Sequence, residues 1–504
     1  MGEIIEGKDI KSTVRESADV CIIGSGAGGA VMAKELAEAG AKVVVLEEGG
    51  YYTQKDFGIS IKDAFLKFYR NQGMDTAFGI PSVIVPTGKC LGGTTVVNMG
   101  TCFRAPARIL KQWEEMGVEG YSESELAPYY ERVENLMSVQ PVKAEVMGHG
   151  GQVIAEGARK LGLRPEPIRR NVSDKCKGCG NCCYGCREDA KQAMHLNYIP
   201  WAVKAGGRFY CDTRADLILH DEHRISGVHG LVHDRETGAF RHHADISADV
   251  VVLAAGAFGS PTLLLQNKIA NRSGQVGKNL KLHLCARAIG VFDEIIDSHH
   301  GVCQNLYIAD YIDQGLMLEA TFTGPASEFP GLAGFDRELW DLAREYRHMA
   351  SIGIMISESS SGRVRSDPSG NPIISYNTNQ DDSNTLKKAA LISARILFAA
   401  GAKKVYVTCS AMPVINSVAE VERYQDVKIR PGDWLIMAFH PMCTTRMGPH
   451  RKSSVVDNHL ESHDLRNLFI ADAGVFPSSL GVNPQETIWA LATKCAEYIA
   501  GNVL

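Results

Sequence analysis

The 504-residue chain lacks the runs that would settle its class at once. It has no long cluster of Lys and Arg, and its net charge is only −5. A basic face for nucleic acid or acidic lipid is therefore not expected. No uninterrupted apolar stretch reaches the length of a bilayer span. The opening residues, MGEIIEGKDIKSTVRESADV, are polar and hold no apolar core of a secretory signal, which points to a cytoplasmic location. Internal repeats and low-complexity tracts are also missing. What remains is an ordinary globular composition, 45% hydrophobic and 22% charged, long enough for two or three domains or one large α/β domain with an insertion.

Cysteine, by contrast, is plentiful. Nine of the fourteen are scattered: Cys21, Cys90, Cys102, Cys211, Cys285, Cys303, Cys409, Cys443 and Cys495. Scattered cysteines read as small buried hydrophobes. Without a secretory signal a disulfide framework is not expected. The other five crowd into CKGCGNCCYGC. Cys176, Cys179, Cys182 and Cys186 follow the spacing C-x2-C-x2-C-x3-C, by which a short loop wraps thiolates around an iron–sulfur cluster. Cys183 is the spare or substitute ligand, and Cys211 is a possible replacement. Arg187 follows the last cysteine where a ferredoxin run has proline, and no second run exists, so a lone 4Fe-4S or 3Fe-4S cluster is expected. Zinc is the alternative, since four close thiolates also suit that ion. Disulfides or plain packing come third.

Along the chain, residues 19–47 read strand, glycine turn, helix, strand. Helical patterns follow at 122–138, 150–162, 188–205, 333–347 and 383–400, although Pro200 interrupts the third. Short strands alternate with turns over 207–253, ending in ADVVVLAAG. The last block reads strand, loop, helix. Nucleotide-binding signals thus sit at the N-terminus, near 250 and at the C-terminus. The expected fold is α/β: a Rossmann-like dinucleotide-binding domain built from separated segments, 1–284 with a cysteine-rich loop at 174–190, and 431–504. An α+β substrate domain with an antiparallel sheet is inserted at 285–430.

Gly24, Gly26 and Gly29 form G-x-G-x-x-G between a strand and a helix. The first glycine allows the tight turn, the second lets backbone approach a pyrophosphate, and the third lets helix and strand pack closely. Glu47 closes the second strand, where an acid holds a ribose hydroxyl pair. The N-terminal position and the returning VVLAAGAFGSP segment favour FAD over NAD.

Several segments together resemble the glucose–methanol–choline oxidoreductase family. GSGAGGAVMAKELAEAGAKVVVLEEGG is similar to its N-terminal FAD motif, and GKCLGGTTVVNMGTCFR to its flavin loop. VVLAAGAFGSPTLLLQ is similar to its second signature. HPMCTTRMG and LFIADAGVFPSSLGVNPQETIWALATKCAEYIA are similar to its C-terminal catalytic block. The cysteine loop is not a general family feature; it resembles the branch with long-chain alcohol oxidases and bacterial iron–sulfur flavin dehydrogenases. The resemblance implies that Gly92, Gly93 and Asn98 lie along the isoalloxazine. It places Asp472 and Ala473 near the pyrophosphate or ribityl chain. In some members a histidine before the flavin-loop asparagine tethers FAD. Val97 stands there, so noncovalent FAD is expected.

The same resemblance places His440 and Asn483 at the flavin N5 and the substrate. Alcohol oxidation needs a proton and a hydride removed, and a neutral imidazole suits the first task. His440 is therefore expected as base and Asn483 as a group holding the substrate oxygen, with a second role as a helix N-cap. His283, His450 and His463 are structural or unassigned. The expected enzyme is an FAD-dependent alcohol dehydrogenase that passes electrons through the cluster to a quinone or an acceptor protein. The alternatives are an oxygen-using oxidase that makes peroxide, a redox-neutral lyase on the same scaffold, and an electron-transfer or structural protein that keeps FAD as a relic. Phe322, Phe329 and Trp340 line the pocket or belong to the core.

Overall fold

The structure is a computed structural model that describes residues 2–58, 60–324 and 337–504. Strand β1 (Val14–Ile23) alternates in burial over its first half and is buried on both faces over its second. Pairing explains the change. Val20–Ile23 lie between β2 (Val43–Leu46) and β3 (Phe240–Leu253), both parallel to them. Helix α1 (Ala27–Glu38) connects β1 to β2 and packs against the C-terminal helix. The strand Leu468–Ile470 pairs in parallel with the end of β3. Segments more than 200 residues apart thus complete one eight-stranded sheet, as expected for a discontinuous dinucleotide domain. Helix α2 (Gly256–Asn267) leaves the end of β3. The short strands expected over 207–253 form an antiparallel extension of this sheet, Thr213–His220 and Ile225–His233 leading into β3.

The second sheet has twelve strands and is mostly antiparallel. Its centre is β4 (Cys285–Val291), β5 (Leu316–Thr321) and β6 (Met349–Ile356), with β6 in the middle. One face packs on the long helix α3 (Gln380–Ala399) and the helix His149–Lys160. Ile436–Met437, Val83–Ile84 and Thr76–Phe78 extend it on one side and Pro165–Pro167 ends it on the other, all four outside the 285–430 span. Strand pairing here follows the surface of the sheet rather than chain order. Among the described residues no helix is long and apolar enough to cross a membrane.

One expected helix differs. Residues 188–205 form only a 3-10 turn, Met194–Leu196, and the helix Tyr198–Lys204. The preceding stretch is diverted into a bridge, Val172 with Lys191, and its backbone bonds to Asn171 and Ser173. Phe322 is core, clustered with Leu342, Tyr346 and Met349. Trp340 is 72% exposed. Phe329 and residues 333–336 of the expected helix lie outside the described residues; Arg337–Arg344 is helical.

The excursion between β2 and the flavin loop is anchored by an ion pair between Arg70 and Glu48. Burial alone would raise the Glu48 carboxyl; the charge and hydrogen bond of Arg70 outweigh it and hold the group at about 2. The pair is still about a quarter exposed. Glu48→Gln should therefore cost only about 1–2 kcal/mol near neutral pH. Because the folded value is depressed, this contribution is complete above the ordinary value of 4.5 and disappears as pH falls toward 2. The melting-temperature gap between wild type and Glu48→Gln should narrow across that window; a constant gap would show that the pair contributes no charge-dependent stability.

Candidate active site

The turn after β1 is shaped by its glycines. Gly24 has φ +96°, and a Cβ there would lie 2.5 Å from the Ala254 carbonyl oxygen. A Cβ on Gly29 would meet the Gly24 oxygen at 1.9 Å, so helix and turn touch. Gly26 differs: a Cβ on it would meet nothing within 4 Å. It faces open space at the start of α1, whose first turn has no acidic residue and no side-chain cap. Free amides and the positive end of the helix dipole are left there for an anion.

Glu47 ends β2 beside this turn. Its carboxylate accepts from the Ser25 amide at 3.0 Å, the Ser25 hydroxyl at 2.6 Å and the Gly49 amide at 2.8 Å. That uses three of roughly four lone-pair sites and leaves one for a ribose hydroxyl. The loop carrying Gly92 and Gly93 packs on the same turn. The Gly92 amide donates to Ser25 Oγ at 3.0 Å, and a Cβ on Gly93 would meet Gly26 Cα at 2.9 Å. Next to Gly92 stands His195, buried, with both ring nitrogens unpartnered. Burial holds it neutral, near a value of about 3. An open glycine cradle, free helix amides and an orphaned polar ring suit a dinucleotide.

Asp472 and Ala473 lie farther along this rim. Asp472 accepts from the Gly256 amide at 2.9 Å, Ser260 Oγ at 2.5 Å and the Gly474 amide at 2.8 Å. It therefore clamps the start of α2 to the C-terminal block. Ala473 offers its carbonyl to the Cys443 amide at 3.1 Å. Asn98 donates to Gln485 Oε1 at 2.8 Å, and Gln485 Nε2 donates to the Thr101 carbonyl at 2.7 Å. Gln485 thus joins the flavin loop to helix α4 (Gln485–Asn502), a role no isolated signal in NPQET had shown.

His440 and Asn483 do come together. Nε2 of His440 stands 3.4 Å from the Asn483 amide. Asn483 is not the expected N-cap: Pro484 holds that place, and the Asn483 side chain turns to His440 instead. Burial lowers His440 to about 4, so it is neutral at working pH. Behind it lies His283, fully buried, with its Nδ1 3.2 Å from Nδ1 of His440. Glu358 holds this corner. It accepts from the His283 amide at 3.1 Å, from Ser479 Oγ at 3.1 Å and from the Leu282 amide at 2.5 Å. His283, one histidine among sixteen, carries no local signal in the sequence. His463 is structural, bonded to Ser454 and Gly448.

The cysteine loop does not assemble as its spacing suggests. Among the described residues no three His, Cys, Asp or Glu side chains are grouped to hold a metal ion. Cys182 is buried and faces Arg170 Nη2 at 3.1 Å and the Cys303 thiol. Cys186 Sγ accepts from the Lys191 amide at 3.4 Å, and Cys179 is exposed. Cys176 and Cys183 are half-buried, and the cysteines are free thiols. Cys182 and Cys186 thus bond outside the set, while burial and the neighbouring Cys182 and Cys186 both raise the Cys176 and Cys179 thiols, so the four share one neighbourhood. Cys211 is not the spare: it sits beside Glu47, while Cys303 reaches the loop and donates to the Gly180 carbonyl at 2.8 Å.

Residues 23–285 match the N-terminal family model of GMC oxidoreductases and residues 358–492 the C-terminal one. An uncharacterised GMC-type oxidoreductase of Mycobacterium tuberculosis is 34% identical, over 99% of this chain and 78% of that protein. A long-chain-alcohol oxidase of Arabidopsis thaliana is 29% identical, over 97% of this chain and 68% of its own. Among solved structures, pyridoxine 4-oxidase from Mesorbium loti superposes with a TM-score of 0.71 at 16% identity, covering 96% of this chain and all of that one. A formate oxidase gives 0.70, also at 16%, over 98% of this chain and 99% of its own. These likenesses agree with the glycine cradle, the clamped C-terminal block and the two-sheet fold: the chain belongs to the GMC oxidoreductase family and is an oxidoreductase.

Proposed function

We propose that the chain oxidises alcohols, as CH–OH donors, with noncovalently held FAD. The observation that carries this is the His440–Asn483 pair, two hydrogen-bonding side chains meeting beside the dinucleotide cradle. When bound, FAD supplies the hydride acceptor, its flavin N5. Gly24, Gly26 and Gly29 with the amides of α1 would hold its pyrophosphate, and Glu47 its ribose. Gly92, Gly93 and Asn98 would line the flavin side, with His195 as a polar wall. His440 and Asn483 would hold the substrate oxygen as charge develops on it. Val97 has no atom that could bond covalently to the cofactor. Two relatives carry alcohol-oxidising names: the long-chain-alcohol oxidase and, at 25% identity, 2-methyl-1,2-propanediol dehydrogenase of Mycolicibacterium austroafricanum.

The function is read as far as cofactor reduction. An iron–sulfur exit through the cysteine loop is favoured by its spacing and by two buried cations against it, Arg170 and Lys191. The thiol positions do not supply a ligand set, so no electron step is drawn through the loop. Iron and acid-labile sulfide in anaerobically prepared protein decide the matter: roughly three or four irons per chain make the loop the exit.

His440→Ala and Asn483→Ala should each slow anaerobic reduction of the bound flavin by alcohol at least ~100-fold while the flavin content stays the same. Reduction at wild-type rate in either variant would remove that residue from the site. Acid precipitation should release all the yellow colour into the supernatant; a coloured pellet would contradict noncovalent binding. Stopped-flow mixing of the reduced enzyme with oxygen separates the acceptors: slow reoxidation is expected of a dehydrogenase, and fast reoxidation with peroxide would make it an oxidase.

A further inference from the structure

Away from the His440–Asn483 pair, the second sheet buries two polar side chains without partners. Successive side chains of a strand point to opposite faces, and residues directly opposite on paired strands share one. Leu318, Ala320, Ile352 and Ile354 face α3 in one apolar cluster. The other face turns to the dinucleotide domain, whose core takes in Met317 and Met355. On that face Arg287, Gly353, Glu319 and Tyr307 stand in one row across β4, β6, β5 and the strand Gln304–Ile308. Gly353 is the gap in this row. It is half-buried although β6 lies in the middle of the sheet and Ser351 and Met355, on the same face, are buried. The three atoms nearest to a Cβ built on it all belong to β5: Thr321 Oγ1 at 3.2 Å, Thr321 Cβ at 3.4 Å and the Glu319 carbonyl oxygen at 3.6 Å. A glycine inside a strand marks a place where a ligand can approach the backbone.

Glu319 and Thr321 border the gap, 5% and 7% exposed. Glu319 Oε2 accepts from Gln304 Nε2 at 3.0 Å, and Gln304 Oε1 accepts from the Thr101 hydroxyl at 2.6 Å, which sets the direction of that amide. Glu319 Oε1 and Thr321 Oγ1 have no partner. Burial pushes the Glu319 carboxyl up to about 8, so near neutral pH it keeps its proton. Oε2 is the acceptor, so the proton belongs on Oε1. A buried O–H without an acceptor is destabilising, and Thr321 adds a hydroxyl in the same condition. The gap is joined to the site above from two sides. Gly353 is a diagonal neighbour of Cys285, whose thiol donates to the His283 carbonyl at 3.2 Å, and His283 meets His440. Cys285 also lies opposite Met437, three residues before His440. On the other side Gln304 reaches Thr101, whose carbonyl accepts from Gln485, two residues after Asn483. Met437, Cys285 and His440 are half-buried like Gly353, so the opening continues from the pair to the gap.

We propose that Glu319 and Thr321 form a second oxygen subsite of the pocket, which holds a hydroxyl that is not oxidised, so that the substrate is a diol or polyol rather than a simple alcohol. A hydroxyl suits both groups at once: its oxygen accepts from the Glu319 O–H, and its hydrogen goes to Thr321 Oγ1. Neither residue takes part in the oxidation; they determine which alcohols bind. That role in specificity rests on the alcohol reading above, whereas the subsite's affinity for a hydroxyl does not.

Pinacol tests this on flavin-loaded protein. It is a tertiary diol whose carbinol carbons carry no hydrogen, so it binds without reducing the flavin. The tertiary alcohol with the same carbon skeleton and a single hydroxyl is its control. Titration calorimetry should give pinacol an affinity at least about tenfold higher in wild type, the factor that one well-made buried hydrogen bond supplies. Glu319→Gln, which can still donate at the same place, should keep a preference for the diol. Glu319→Leu should bring the two affinities within about twofold, and Thr321→Val should lower their ratio at least about threefold. Equal affinities in wild type, or no measurable binding of pinacol, would mean that the two groups hold only an internal water and would overturn the proposal. An undiminished preference in Glu319→Leu would overturn it too. If Glu319→Leu does not fold, Thr321→Val, which keeps the shape, decides. If no alcohol reduces the wild-type flavin, the alcohol reading fails while the pinacol titration still stands or falls by itself.

Discussion

A buried carboxylate is costly unless hydrogen bonds satisfy its oxygens, and around the site this constraint joins distant parts of the chain through Glu47, Asp472 and Glu358. Glu47 takes amides from Ser25 and Gly49, and so binds the glycine turn to the end of β2. Asp472 takes amides from Gly256 and Gly474, and so binds α2 to the C-terminal block. Glu358 takes amides from Leu282 and His283 and the Ser479 hydroxyl, and so binds the second sheet to the loop that carries Asn483. Each clamp joins backbone to backbone through one side chain. Removing any of them would leave buried amides without partners, which is why the site is stiff although it is built from loops.

The clamps also explain how the site is distributed. His440 arrives from the stretch after Ile436–Met437, a short strand of the second sheet between Val83–Ile84 and β4, while Asn483 leads into a helix packed on the first. Only the meeting of the two sheets brings their side chains within 3.4 Å. His283 lies just before β4, where its Nε2 accepts from the Gly481 amide and its Nδ1 faces Nδ1 of His440. The meeting of His440 with Asn483 and the cohesion of the two sheets therefore depend on the same few hydrogen bonds.

Much of this was legible in the residues. The G-x-G-x-x-G turn, the β1–α1–β2 unit and the return of the sheet near 250 and 470 rest on local periodicity and glycine placement, which tertiary contacts only reinforce. The helix expected over 188–205 was not, because its first part pairs with residues 171–173 and backbone bonding to a distant partner overrides local propensity. The cysteine loop shows the opposite limit. Its spacing is a statement about chain reach, whereas a ligand set requires side chains to converge at one point, and among the described residues no such group of three is found.

The sequence by itself determined the dinucleotide turn, the family and the identity of the pair His440 and Asn483, because each is written in a short contiguous motif whose backbone geometry is local. The tertiary structure alone decided what that pair can do. His440 meets His283, and His283 accepts from the Gly481 amide, although these residues lie 157 and 198 positions apart. Such contacts are made across space, and no spacing along the chain records them.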